Sequence, residues 1–422
     1  DSGDDTLNGG TQDDVLKGGS GDDILNGGAG IDTADYTEAT EDLNIDLSKT
    51  GKVFISDSQG SDTFNLIEGA KGGSGDDILT GTTTTNYLYG NDGDDTLLGY
   101  GGDDIIDGGA GIDFISFNFS DKNLTIRLDT LDWQDTNDGK VKLIGIENAE
   151  GGTGDDKIYG NASKNEIRSL GGNDTIYGSD GDDKLYAGTG DDILDYSLNE
   201  FGGVEIDINL TEYQVKEDGY SNKDDISGFE TIQGSNFSDI YIGKDGYKDI
   251  FKGGDGNDTI TISTGDGINM DELEGEGGDD TFIINTSTEN QTKMIGGHNN
   301  QQNGDTVDMS NLGVNEAVKV ELTEVNTEIK TIVGNKLLGV LNGIENIIGT
   351  QGNDDIKGNS EKNIIDGEGG DDILRLSKGG DDIYGGAGFD ELNMETITNA
   401  ADVDLQKNVI KDKTEGGEIG SG

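Results

Sequence analysis

The sequence predicts an all-β fold: blocks of stacked turn-and-strand units alternating with antiparallel hairpin excursions along an elongated chain. Three observations predict it. A nine-residue phrase (two glycines, any residue, glycine, any residue, aspartate, any residue, an aliphatic, any residue) recurs about two dozen times and fills more than half of the 422 residues. The copies come in runs that restart at Gly72, Gly151, Gly234 and Gly349. Between the runs lie strings of strictly alternating apolar residues, the signature of a strand with one buried face. A repeat of this length must stack, because no single copy can bury its own apolar side chain.

Composition sets the conditions for that stacking. There are 88 acidic residues against 28 basic ones, a formal charge of -60, with 73 glycines and only 30% hydrophobic residues. Those totals alone signal disorder. The fixed spacing of Asp and Gly argues for order that depends on divalent cations, which turn repulsion into coordination; without them the charge density expands the chain. The absence of cysteine rules out a disulfide framework and a Cys-based zinc site, and fits an exported bacterial surface protein. No apolar run approaches the ~18 residues of a membrane helix, so membrane insertion is not expected. No signal peptide is recognised, and the phrase is already under way at Asp1, as in a segment excised or processed from a longer chain. The acidity excludes nucleic acid as a natural partner.

Taken in order, the segments are 1–71, 72–150, 151–233, 234–348 and 349–422, each a run followed by an excursion, the first run partial and the last excursion cut short. The first run places Asp5, Asp14, Asp23 and Asp32 at position six. The run from Gly72 places Asp77, Asn86, Asp95, Asp104 and Asp113 there. The run from Gly151 gives Asp156, Asn165, Asp174, Asp183 and Asp192, with Ile158, Ile167, Ile176, Leu185 and Leu194 at position eight. The run from Gly349 gives Asp354, Asn363, Asp372, Asp381 and Asp390. The run from Gly234 is irregular, with insertions near Lys252, at 262–274 and after His298, and carries Asp239, Asp258, Asp280 and Asp305. In the three regular runs the second unit carries Asn, and in two it opens Gly-Asn (Gly160-Asn161, Gly358-Asn359). A Glu in register with position six precedes every later run: Glu68, Glu147, Glu230 and Glu345, read as a cap on the stack. The excursions carry strings such as Leu43-Ile45-Leu47, Leu124-Ile126-Leu128, Val204-Ile206-Ile208 and Val318-Val320-Leu322, followed by turn signals such as Thr50-Gly51 and Asp138-Gly139. They are expected to form hairpins docked on the ends of the blocks.

Within each phrase the first six residues form a turn and the last three a short strand. Glycine serves where the backbone takes positive φ and where carbonyls point into a metal site. The backbone ligands expected from this pattern lie at Gly18, Gly21, Gly72, Gly75, Gly90, Gly93, Gly108, Gly111, Gly151, Gly154, Gly178, Gly181, Gly253, Gly256, Gly385 and Gly388. Calcium takes about 6–8 oxygens, more than one turn can give; two stacked turns suffice, each with carbonyls and one position-six carboxylate. Successive copies lie on opposite sides of the coil, so each ion bridges copy n and copy n+2, and the ligand supply corresponds to roughly 15–20 Ca2+. A buried Leu or Ile gives about 1.5–3 kcal/mol, whereas ordering each backbone residue costs about 1–2 kcal/mol, and there are nine per aliphatic. Ion binding must therefore supply the folding free energy. Mg2+ prefers a rigid octahedron and keeps its waters; zinc lacks Cys and has one His to use. The pattern departs at Gln12 and at the three Asn residues, which still offer one oxygen each. It departs again at Lys248, which cannot ligate calcium at position six and puts that site in doubt.

These residues resemble the RTX, or haemolysin-type, calcium-binding repeat. The resemblance implies a parallel β-roll, a solenoid of nonapeptides, and secretion through a type I system in unfolded form, with folding in external calcium. The alternation of short runs with hairpins resembles bacterial S-layer proteins and large repetitive adhesins more than toxins.

Other motifs carry less. His298, the sole histidine, sits in an insertion of a degenerate repeat, a poor place for a catalytic triad, so no enzyme activity is expected from this segment. RTX blocks do trail proteases, lipases and epimerases, so a catalytic domain elsewhere is compatible. The stretch around Trp133 resembles a calcium loop but has the wrong offsets, and reads as an acidic hairpin tip with one packed Trp. Tyr87, Tyr89, Tyr159, Tyr177 and Tyr186 should face outward, shielding backbone or meeting a sugar or a neighbour. Thr153 and Thr189 are too isolated for an ice-binding row. The expected function is a secreted, calcium-binding structural protein of the bacterial cell surface. Its partners would be calcium, copies of itself in a lattice such as an S-layer, and cell-surface polysaccharide. The rivals are the stalk of an adhesin and the secretion and folding module of an exported enzyme or toxin.

Overall fold

A computed structural model describes residues 2–244, 248–262, 271–285, 292–299, 303–323, 327–377 and 381–393. Among them every regular element is a strand. Most strands are the last three residues of the phrase, as in Thr96–Leu98 and Lys157–Tyr159. The chain divides into two compact units, Asp1–Leu194 with Asn222–Phe229, and Asp195–Ser221 with Glu230–Gly422.

In the first unit the chain alternates between facing sheets every nine residues. Ile78–Thr80, Thr96–Leu98 and Phe114–Ser116 pair in parallel on one side. Gly69–Lys71, Tyr87–Asp92 and Gly102–Ala110 pair in parallel on the other. The fold is thus a parallel β-roll. The middle residue of each strand points inward, so Leu79, Leu88, Leu97, Ile106 and Ile115 form a fully buried single file. The second unit repeats the plan. Ile240–Ile242, Thr259–Ile262, Thr281–Ile284 and Thr306–Asp308 pair in parallel, as do Thr231–Gln233, Ile250–Asp255, Glu272–Gly277 and Lys293–Asn299.

The hairpins form, but they are spliced into the roll rather than docked on its ends. Antiparallel pairs join Lys52–Ser56 to Gly60–Asn65, Gln134–Asp135 to Gly139–Ile144, and Glu205–Asp207 to Val215–Glu217. Val318–Glu321, Thr327–Thr331 and Leu337–Asn342 make a three-stranded version. The alternating string of each excursion pairs in parallel with the next run: Asn44–Asp46 with Ile78–Thr80, Thr125–Arg127 with Lys157–Tyr159, Glu205–Asp207 with Ile240–Ile242, and Val318–Glu321 with Asp355–Lys357. Return strands extend the preceding run, as Gly139–Ile144 does with Gly102–Ala110. The physical reason is the shared interior: Ile45, Ile126, Ile206 and Val320 are buried in line with the position-eight aliphatics. The string at Ala401–Leu405 lies outside the described residues.

One sheet therefore carries through three of the hairpins while the other is exchanged. Asn148–Glu150 pairs back to Phe114–Ser116 and forward to Glu166–Arg168, joining the run from Gly72 to the run from Gly151. Gly69–Lys71 does the same for the first two runs, and Asn346–Ile348 does so between Thr306–Asp308 and Ile364–Asp366.

Candidate metal centres

The turn is shaped by two glycines. Gly93, at position four, has φ +115, and a Cβ there would overlap the carbonyl of Gly75 in the turn below. A Cβ on Gly90, at position one, would overlap Oδ2 of Asp95 and meet the Gly108 carbonyl of the turn above at 2.5 Å. A carboxylate oxygen and a carbonyl oxygen from adjacent turns thus converge on the space that only glycine leaves open.

The position-six residues form ladders along each side of the roll. Each donates its backbone N–H to Oδ1 of its counterpart one full coil later: Asp77 to Asp95 (2.7 Å) and Asp95 to Asp113 (2.8 Å). Asp156, Asp174 and Asp192 repeat this at 2.7 and 2.8 Å, and Asp354, Asp372 and Asp390 at 2.7 and 3.2 Å. In the irregular run Asp239, Asp258, Asp280 and Asp305 are linked by three such bonds of 2.9 Å. Asp5 donates to Asp23 and Asp14 to Asp32 at 2.8 and 2.9 Å. Asn86, Asn165 and Asn363 donate to Asp104, Asp183 and Asp381. Three glutamates end runs by accepting with Oε2 the N–H of Asp32, Asp113 and Asp305: Glu68 (3.0 Å), Glu147 (3.0 Å) and Glu345 (2.9 Å). Glu230 is exposed at the start of Thr231–Gln233.

What Oδ2 does is decisive. In Asp14, Asp23, Asp32, Asp95, Asp113, Asp174, Asp258, Asp280, Asp372 and Asp390 it is buried and accepts no hydrogen bond. A buried, uncompensated carboxylate oxygen is costly. Burial accordingly pushes Asp95 and Asp104 up to about 7, Asp174 and Asp280 to about 6, and Asp258 and Asp372 to about 8, with neighbouring carboxylates adding to each of these shifts. Among the described residues no three acidic or histidine side chains gather at one point. Each turn supplies one carboxylate plus carbonyls, an all-oxygen set that suits a hard cation able to use backbone ligands. The residues present therefore fit calcium.

A family model for the RTX calcium-binding nonapeptide repeat matches residues 1–34, 80–115, 144–175, 164–194, 245–261, 341–374 and 358–392. The chain carries RTX calcium-binding nonapeptide repeats. RTX nonapeptide repeats bind Ca2+, so its cofactor is calcium in multiple copies. No curated protein matches the chain. RTX-repeat proteins are typically secreted, and among the described residues no helix is long and apolar enough to cross a membrane.

Several position-six residues of this RTX chain differ from the nine-residue count. Lys248 is not in the ladder. One additional residue in that turn brings Asp249 into place, where it donates to Asp271 at 3.0 Å and accepts from the Lys244 N–H at 2.8 Å. Asp271 itself stands after an insertion. Asp62 and Asp224 extend the ladders beyond Asp23 and Asp183 at 2.8 and 3.0 Å from within excursions, and the Tyr36 hydroxyl seals Asp62 with a 2.5 Å hydrogen bond. All four share a signal that the glycines obscured: Asp, any residue, then a large apolar one (Asp62-Thr63-Phe64, Asp224-Asp225-Ile226, Asp249-Ile250-Phe251, Asp271-Glu272-Leu273).

A second, outer ladder occupies position five and runs the opposite way. Asp94 donates to Asp76 at 2.9 Å, Ile112 to Asp94 at 2.8 Å, Asn173 to Asp155 at 2.8 Å and Asp371 to Asn353 at 2.9 Å. Its signal was the doubling of acidic or amide residues before each strand. Trp133 is 49% exposed rather than packed, because its neighbour Gln134 fills the hairpin by bonding both polar backbone groups of Arg127. Tyr159 and Tyr177 stack at 4.1 Å with Arg127 laid over Tyr159. His298 lies on the strand Lys293–Asn299.

Proposed function

We propose that this RTX chain is a non-catalytic scaffold of the bacterial cell surface, secreted unfolded and set by calcium into a lattice-forming, S-layer-like protein. The observation that carries the reading is that the position-six ladders run through the hairpins as well as the nonapeptide runs. Strands from both kinds of segment share the same parallel sheets, so runs and excursions are set by the same stacking of turns. In this reading the position-six carboxylates, the capping glutamates and the position-one and position-four carbonyls hold the ions, which supply charge compensation and cross-links between turns. Cell-surface polysaccharide and further copies of the chain are the partners.

The test is to add calcium to the purified, metal-free chain and follow circular dichroism, light scattering and negative-stain images together. Calcium-induced sheet signal followed by ordered arrays or filaments is the expected outcome. Folding without assembly would leave the stalk of an adhesin or a secretion module. A catalytic sequence in the same reading frame would favour the module.

A further inference from the structure

Asparagine recurs at position six once per regular run, and each time it stands one coil after a glutamate: Glu68 and Asn86, Glu147 and Asn165, Glu345 and Asn363. Each pair lies on the sheet that carries through from one run to the next. All three asparagine side chains are buried.

Their hydrogen bonds are alike. Nδ2 of Asn86, Asn165 and Asn363 donates to the backbone carbonyl of the paired glutamate at 3.1, 2.5 and 2.7 Å. Oδ1 accepts the N–H of the residue four places earlier, Thr82, Asn161 and Asn359, at 2.6, 2.8 and 2.9 Å. These partners fix which end of the amide is which, since a flipped amide would set oxygen against oxygen and N–H against N–H. In the second and third pairs the other amide hydrogen goes to Oδ1 of Asn161 and Asn359, both at 3.0 Å. That explains the Gly-Asn opening of those two units.

The glutamate carbonyl is kept open for this bond. A position-six carbonyl ordinarily accepts the next strand's first N–H, as Asp156 does from Thr175. In the second and third pairs that N–H, of Glu166 or Ile364, is taken instead by the side chain of Asn148 or Asn346 at 2.6 and 2.8 Å. In the first pair Gly69 has no side chain to take it. The Glu68 carbonyl is then shared between Tyr87 N–H and Asn86 Nδ2, both at 3.1 Å.

At the steps that lead to Asp95, Asp113, Asp174, Asp258, Asp280, Asp372 and Asp390 the upper residue brings a buried carboxylate oxygen that accepts no hydrogen bond; at the Glu–Asn steps it brings a neutral amide whose groups are used. We infer that each Glu–Asn step is an ion-free joint, at which an amide hydrogen bond, in place of calcium, couples the end of one ion column to the start of the next. The inference rests on the reading that the Asp columns hold calcium. The joint needs no cation: the glutamate closes the column below with its carboxylate and offers only a carbonyl above.

Calcium stoichiometry of the full chain, measured by equilibrium dialysis and by calorimetric titration, tests this with two variants. Asn165→Ala should bind as many ions as the parent, with its two neighbouring columns no longer melting together. Asn165→Asp places an anion against the Glu147 carbonyl and should bind one ion more. If asparagine is an ordinary ligand, Asn165→Ala loses one ion and Asn165→Asp leaves the count unchanged, and either result overturns the joint. Should Asn165→Ala not fold in calcium, the Asn165→Asp count decides alone. A parent that binds no calcium overturns the functional reading and the joint with it; a parent that binds calcium normally while the variants misbehave overturns the joint only.

Discussion

The run from Gly72 and the run from Gly234 reach the same architecture by different arithmetic. In the first, position-six partners are spaced 18 residues apart at each step. In the second the spacings are 19, 22 and 25 residues, yet the three ladder bonds hold at 2.9 Å. The strands stay in register because pairing is fixed by the triplet of aspartate, any residue and apolar residue, while the added length falls between strands. The interiors differ too. The regular run is lined by Leu and Ile; the irregular one by Tyr241, Phe251, Phe282 and Met294, with Tyr241 and Phe251 stacked at 4.4 Å. Larger rings bury more area per turn. A run that departs from the ion-binding phrase thus leans more on its core.

Chelation should expose that difference most strongly. Removing calcium is expected to abolish the sheet signal of the regular runs, because one aliphatic per nine residues leaves them without another source of stability. Hydrogen exchange should show protection lost in 72–113 and 151–194 at higher free calcium than in 239–308. Simultaneous loss everywhere would mean that the aromatic core adds nothing, and full protection in chelator would remove calcium from the account.

Acidity should then restore part of what chelation removes. Burial raises Asp95, Asp174 and Asp258 to about 7, 6 and 8, against about 3.9 in an unfolded chain. Between about pH 4 and 8 the metal-free folded state therefore binds more protons than the unfolded one, and its stability rises as pH falls. The same protons compete with calcium, so calcium affinity should fall over that interval. Circular dichroism in chelator at pH 8 and pH 5 checks the first half, and calcium titration at both values checks the second. Equal metal-free order at the two values would contradict the burial of these carboxylates.

Single ligands come next. Asp174→Ala in a regular run and Asp258→Ala in the irregular one should each lower bound calcium by about one. Each should cost about 2.7 kcal/mol where calcium stands 100-fold above its dissociation constant. Equal losses would show that the insertions leave the column intact. Unequal ones would show that spacing matters after all.

Much of this was legible in the sequence, and the exceptions have a common cause. The alternation of runs and hairpins, the inward file of Ile158, Ile167 and Ile176, and the role of glycine at Gly90 and Gly93 follow from a period that local chemistry enforces. Asp249 was displaced to Lys248 by counting nine, because counting treats turn length as fixed when only the strand triplet is. Asp62, Asp224 and Asp271 were overlooked because the residues before them lack the phrase's paired glycines, as in Asp57-Ser58-Gln59-Gly60 and Gly219-Tyr220-Ser221-Asn222. The splicing of hairpins into the roll depends on which strands meet across dozens of residues, a tertiary fact that alternation cannot encode. Asn165 had the composition of a weak ligand; only its partners show an amide already engaged.

The outer ladder gives the smallest and finest comparison. Asp155 accepts the Asn173 N–H at 2.8 Å in a regular run, and Asn257 accepts the Asp279 N–H at 3.0 Å in the irregular one. Both bonds are exposed, and one acceptor is charged where the other is neutral. Replacing either by Ala should cost about 0.5–1.5 kcal/mol, the net worth of such a hydrogen bond, with Asp155→Ala at the upper end and more sensitive to salt. Thermal melts in saturating calcium at low and high salt measure this. A markedly larger loss at Asn257 would mean that the irregular run, with its long and variable connections, depends on the outer ladder to hold its turns, and that the triplet alone does not set register.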